Sequence, residues 1–90
     1  MIEAEVKKLY SRALAKWGFP AQATMVMEEC AELINAMCKL ERGRITEDEV
    51  ITEIADVMIM CEQMATHFGT VKVELEKDRK LQRLKERLNK

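Results

Sequence analysis

Val26-Met27-Glu28-Glu29-Cys30-Ala31-Glu32-Leu33 and Val50-Ile51-Thr52-Glu53-Ile54-Ala55-Asp56-Val57 decide how this chain folds. Each stretch sets two carboxylates three residues apart in an otherwise apolar run, and a spacer of twenty residues separates Glu32 from Glu53. On an α-helix that spacing places side chains about 60° apart around the axis and roughly 4.5 Å apart along it. Each pair is therefore a two-pronged acidic patch. Two such patches facing each other gather four like charges at one point, which calls for a compensating cation. A hard divalent metal is the natural candidate.

Working outward, four helices are readable. The first covers about Ile2 to Lys16, with Ile2, Val6, Leu9, Ala13 and Trp17 on one face. Gly18 ends it, and Pro20 suits the first turn of the next. The second helix runs from about Pro20 to Arg42, with Gly43 where a left-handed C-cap is expected. Thr46-Glu47-Asp48-Glu49 matches a capping box in an acidic first turn. That starts a third helix, which continues to about Phe68 and is closed by Gly69. The fourth begins near Thr70, carries Leu81, Leu84 and Leu88 on one stripe, and ends in a basic turn. No strand-period run interrupts this pattern.

The second and third helices, joined by a short loop, should form an antiparallel hairpin. Both are apolar nearly all round, which predicts a central position and partial enclosure of the acidic pairs. The expected architecture is an all-α, four-helix antiparallel bundle in a single domain, residues 1–90. The central hairpin carries ExxE and ExxD.

Composition agrees. Apolar residues make up 48% of the 90 residues and aromatics only 4%, with seven Met. Such a core is helix-bundle material rather than sheet material. A chain this short buries a modest share of its surface, so completion as a homodimer or dimer of dimers is expected. No run approaches eighteen apolar residues, and MIEAEVKK lacks a signal-peptide layout. A cytoplasmic protein with no membrane partner is the expectation. Cys30, Cys38 and Cys61, an odd number with no CxxC, read as plain buried thiols rather than a disulfide framework or zinc site.

The formal net charge of −1 hides an asymmetry. Residues 28–62 carry a balance of −7, residues 72–90 one of +4, and residues 1–27 one of +2. An acidic centre with a basic tail argues against a nucleic-acid-binding domain. It suits a metal site with phosphate-binding side chains nearby. Carboxylate ligands without histidine favour Mg2+, with Mn2+ the second choice. His67, eleven residues past Asp56, reads as a helix-end residue. Carboxylate-bound magnesium usually completes its shell with water and substrate phosphates. Lys80 and Arg83 on the fourth helix are candidate phosphate partners; an ordinary solvated helix face is their plainer reading.

Glu28-Glu29-Cys30-Ala31-Glu32-Leu33, followed by Glu53-Ile54-Ala55-Asp56-Val57, resembles the MazG-like, all-α nucleoside triphosphate pyrophosphohydrolases. The family's pattern is EExxE, a spacer, then ExxD. Lys80-Leu81-Gln82-Arg83 is similar to the K-L-x-R segment of its later helix, and Trp17-Gly18 and Gln22 are similar to its short members. The resemblance covers roughly residues 15–88. It implies magnesium-dependent hydrolysis of a (deoxy)nucleoside triphosphate to the monophosphate and pyrophosphate. It assigns Glu29, Glu32, Glu53 and Asp56 as metal ligands and Glu28 or Glu29 as general base. It also implies that Lys80 and Arg83 grip the β and γ phosphates, and that a neighbouring subunit completes the site. Trp17 is a candidate for stacking on the base and Gln22 for hydrogen-bonding its edge; core packing and a helix first turn are their plainer readings.

Two other readings stand beside this one. The acidic face of a non-catalytic helical interaction module would bind a basic partner. A related all-α phosphohydrolase, dUTPase-like or phosphoribosyl-ATP pyrophosphohydrolase-like, would share the chemistry and differ in base recognition.

Overall fold

The structure, a computed structural model, describes residues 1–90 as four helices and no strand: α1 Glu3–Trp17, α2 Phe19–Glu41, α3 Glu47–Phe68 and α4 Thr70–Leu88. The expected helices are all present, with ends shifted by a residue or so. No helix is long and apolar enough to cross a membrane.

The α2–α3 turn follows from its residues. Gly43 takes φ +70°, a left-handed conformation that a side chain would strain. Its N–H bonds the Leu40 carbonyl at 2.9 Å, and the Arg44 N–H bonds that of Lys39 at 2.9 Å, which is a Schellman closure of α2. Three residues on, the Glu49 carboxylate accepts from the Thr46 N–H at 3.2 Å, the glutamate half of the capping box. Stop and start signals thus leave only residues 42–46 between the helices, and α3 folds back along α2.

This hairpin is the main packing unit. α1 lies against α3 and α2, whereas α4 touches α3 alone. The tie between α1 and α3 is polar: the Tyr10 hydroxyl donates to Glu62 Oε2 at 2.8 Å. At the opposite end from the turn, Phe19 stacks on His67 at 4.0 Å between ring centroids, with Phe68 edge-on to both. His67 is thus a helix-end residue, as its position suggested.

Burial differs from the expectation. Only six residues are buried: Tyr10, Ala36, Val50 and Met60, with the amides Gln22 and Gln63. The apolar character of α2 and α3 is not spent on enclosure, since Met27 and Ile34 are each 66% exposed and Ile51 is 60% exposed. Cys38 and Cys61 are exposed and Cys30 only half-buried, so the buried-thiol reading fails for the first two. Their stripes face away from the α2–α3 contact. No residue of α4 is buried. The chain exposes 7260 Å², whereas a folded monomer of its 10.4 kDa mass exposes about 5,400 Å². Its radius of gyration, 15.7 Å, likewise exceeds the roughly 12 Å of a compact chain of this length.

Loss of water around the Tyr10 hydroxyl, then its bond to Glu62 and that carboxylate's charge, push its pKa from 10.0 up to about 12. The folded state therefore holds this proton more tightly. The resulting stability is whole below pH 10 and is lost as pH rises toward 12. Tyr10 is the only tyrosine, so ultraviolet titration of the native protein should show one phenol ionising near pH 12. Tyr10→Phe should cost about 1 kcal/mol, read as a melting temperature lower by roughly 4–8 °C.

Candidate metal centre

The antiparallel register brings the two acidic pairs together. Carboxylate oxygens of Glu29 on α2 and of Glu53 and Asp56 on α3 all lie within 4.8 Å of one another. Glu32, more exposed than these three, adds its charge to both Glu29 and Glu53. The sequence expectation that α2 and α3 oppose their carboxylates therefore holds for all four residues, with three of them forming the tight group.

No cation of the chain answers this charge. The only ion pairs are Glu3–Lys7 and Glu76–Arg79, both within a single helix. Oε2 of Glu29 and Oε2 of Glu53 are buried and accept no hydrogen bond. Loss of hydration pushes the Glu29 carboxyl above its usual range, and the charges of Glu32, Asp56 and Glu53 push it further. Glu53 is raised by the same loss of hydration, then by Glu32 and Asp56. Buried acceptors without donors are uncommon in native structures and ask for an explanation such as an ion. The donor set is oxygen only, which is the chemistry of Mg2+ and Mn2+ rather than zinc. The residues present thus fit a hard divalent cation held by Glu29, Glu53 and Asp56, with Glu32 at its edge.

Beside this group, a cleft of about 300 Å³ opens toward the hairpin turn. Glu32, Asn35, Ala36 and Lys39 line it from α2, Glu49, Thr52 and Glu53 from α3, and Ile45 from the loop. Glu32 and Glu53 belong to both cleft and acidic group. Asn35, Lys39 and Thr52 were not singled out from the sequence. Their signal was there: Asn35 and Lys39 follow Glu32 by three and seven residues, the spacing of one helix side. Glu28, exposed on α2, precedes Asn35 by seven residues and projects to that same side.

The other expected site residues lie apart. Lys80 and Arg83 sit on α4, which makes no contact with α2. Their charges fall around Glu76, whose carboxyl is held below its usual range first by the hydrogen bond from Arg79 and then by nearby cations including these two. Neither residue pairs with the acidic group. Trp17, at the end of α1, is 57% exposed and has Lys16 Nζ 5.3 Å from its ring centroid. It is neither core packing nor close to the carboxylates, because Phe19 at the start of α2 is ten residues from Glu29, about 15 Å along the axis. Gln22 is buried within α2 rather than presented to a ligand.

Comparison of the chain with protein-family models, curated proteins and solved structures gives no match.

The raised carboxyls fix a sign. A carboxyl held above its ordinary 4.5 favours the folded state while protonated, and that contribution is lost as pH rises past 4.5 through the folded value. In metal-free buffer at pH 7.5, Glu53→Gln should therefore melt at a higher temperature than wild type, with the gap closing toward pH 4. Millimolar Mg2+ or Mn2+ should raise the wild-type melting temperature and leave the variant nearly unmoved. A wild-type melt indifferent to both cations would remove the metal assignment.

Proposed function

We propose that the chain is a divalent-metal-dependent nucleoside triphosphate pyrophosphohydrolase, with Mg2+ or Mn2+ held by Glu29, Glu32, Glu53 and Asp56. The observation that carries this reading is the convergence of unneutralised carboxylates, two with orphaned buried oxygens, beside an open polar cleft. The order EExxE then ExxD, in which the chain resembles the MazG-like enzymes, supports it.

A cation bound by these carboxylates supplies charge neutralisation for substrate phosphate oxygens. The remaining work belongs to the chain. Water attacks the α-phosphorus, a new P–O bond forms, and the bond from that phosphorus to the α–β bridging oxygen breaks. The electron pair leaves with pyrophosphate, and the nucleoside monophosphate remains. The water's proton passes to a carboxylate, for which Glu28 is the first candidate. It projects to the cleft side of α2 next to the ligand Glu29, and the tight metal group does not use it. Glu29 is the second candidate base. Lys39 and Asn35, on the cleft wall, meet the phosphates and the sugar with a charge and a hydrogen-bonding amide. Lys80 and Arg83 lie outside the cleft of their own chain, and in this reading they reach the phosphates of a neighbouring copy.

The direct test is pyrophosphate release from a panel of canonical and modified nucleoside triphosphates, with and without Mg2+. Glu32→Gln should lower kcat at least a hundredfold, and chelation should abolish turnover. Activity untouched by either ends the catalytic reading. The placement of Lys80 and Arg83 is tested by mixing. Glu32→Gln and the double variant Lys80→Ala, Arg83→Ala, each nearly inactive alone, should recover activity when refolded together. Without recovery, those two cations do not act across subunits.

A further inference from the structure

The longest acid-free stretch of the chain runs from Val6 to Met27 and holds four cations, Lys7, Lys8, Arg12 and Lys16. Lys7 is engaged by Glu3 at 3.4 Å, whereas Lys8, Arg12 and Lys16 enter no ion pair. At 100° per residue these three fall in one arc of about 80° on α1, and Ile2, Leu9, Ala13 and Trp17 fall in the arc beside it. Glu5, in the first turn, is the one acid on this side. Ile2, Leu9 and Trp17 are 64%, 45% and 57% exposed. A shallow groove of about 650 Å³ runs between Leu9, Arg12, Ala13, Ala15, Lys16 and Trp17, all from α1, so no other helix covers this flank. α1 thus buries Tyr10 against α3 and leaves a cationic row and an apolar edge side by side in water.

We propose that this flank of α1 lies on an anionic lipid surface, with Ile2, Leu9 and Trp17 at the headgroup boundary and Lys8, Arg12 and Lys16 on the lipid phosphates. Interfacial helices are marked by exposed Trp and Leu flanked by Lys and Arg, not by a spanning run. The expectation of no membrane partner rested on the want of such a run, which an interfacial helix does not need. Charge and apolarity together choose the occupant. A single-stranded nucleic acid has a use for the cations and for Trp17 but none for Ile2 and Leu9. An anionic bilayer has a use for both arcs. α4 is the other basic helix, but its cations are interleaved with Glu74, Glu76, Asp78 and Glu86, Arg79 is tied to Glu76, and it carries no aromatic residue. The acidic seam does not forbid the contact. Lys8 and Arg12 are each two residues from Tyr10, hence about 160° from it, so they stand about one helix diameter, ~10 Å, off α3. At physiological salt the field of the seam is screened within about 8 Å.

Trp17 is the only tryptophan, so its emission reports on this flank with neither nucleotide nor metal present, independently of the catalytic reading. Phosphatidylcholine–phosphatidylglycerol vesicles should shift that emission to the blue, and brominated acyl chains in them should quench it. Pure phosphatidylcholine vesicles should do neither, and half-molar salt should release the protein. Arg12→Ala with Lys16→Ala should weaken binding about thirtyfold, at roughly fivefold per cation removed. Its helical circular dichroism should be retained, since both side chains are exposed and alanine is the best helix former. If that variant loses its helicity, quenching of the wild-type Trp17 by brominated lipid decides. A wild-type spectrum unmoved by phosphatidylglycerol vesicles overturns the inference, as does equal binding to pure phosphatidylcholine. So does binding that survives Arg12→Ala with Lys16→Ala; its loss with Lys77→Ala and Lys85→Ala then places the lipid surface on α4. A shift produced by oligothymidylate and not by vesicles gives the flank to nucleic acid and overturns it too.

Discussion

Like charges held together across the α2–α3 seam are the constraint on which the rest of the molecule turns. Glu29, Glu53 and Asp56 meet within 4.8 Å with no lysine or arginine to divide their field. Packing alone does not favour such a contact: lost hydration and neighbouring charge both push the Glu29 and Glu53 carboxyls toward protonation. The helices are pinned in this register by what flanks the charges. On one side lie the small Ala36, the buried Val50 and the short, doubly capped turn; on the other lie Met60 and the aromatic contact of Phe19 with His67 and Phe68. The scaffold thus holds these carboxylates together against their own repulsion.

The seam also explains the apolar outer face. Polar side chains fill the middle of the α2–α3 contact, with Ala36, Val50 and Met60 packed beside them, and Met27, Ile34, Ile51 and Met58 point outward. A chain of this size has few other surfaces on which to cover them. α1 reaches only part of the hairpin, and α4 leaves α2 untouched.

Much of this was legible in the sequence, and the reason differs from element to element. Gly43, Thr46 and Glu49 act through local hydrogen bonds, so their stop and start signals read correctly without tertiary knowledge. The carboxylate pairs were legible because two helix periods and one short loop determine which side chains oppose one another. Cys38, Cys61 and Trp17 were not, because their exposure depends on which helix covers which face, and periodicity is silent on that. The outward-facing Ile and Met residues misled for a related reason: a helix apolar nearly all round reads as central whether its cover comes from its own chain or from another. Lys80 and Arg83 share this difficulty, since local pattern fixes α4 as a helix but not its direction. The amide pair Gln22 and Gln63 had no warning signal, as glutamine in a helix usually faces water.

The brevity of the 42–46 loop has a consequence for how the chain reaches its native state. Contacts between α2 and α3 that flank the turn close small loops, and the hairpin is the main packing unit, so it is the natural nucleus of folding. The repelling carboxylates sit in the middle of that nucleus. A penalty met within a folding nucleus slows folding more than it hastens unfolding. Acidity, or a cation were one held there, would relieve that repulsion and hasten the chain's own assembly.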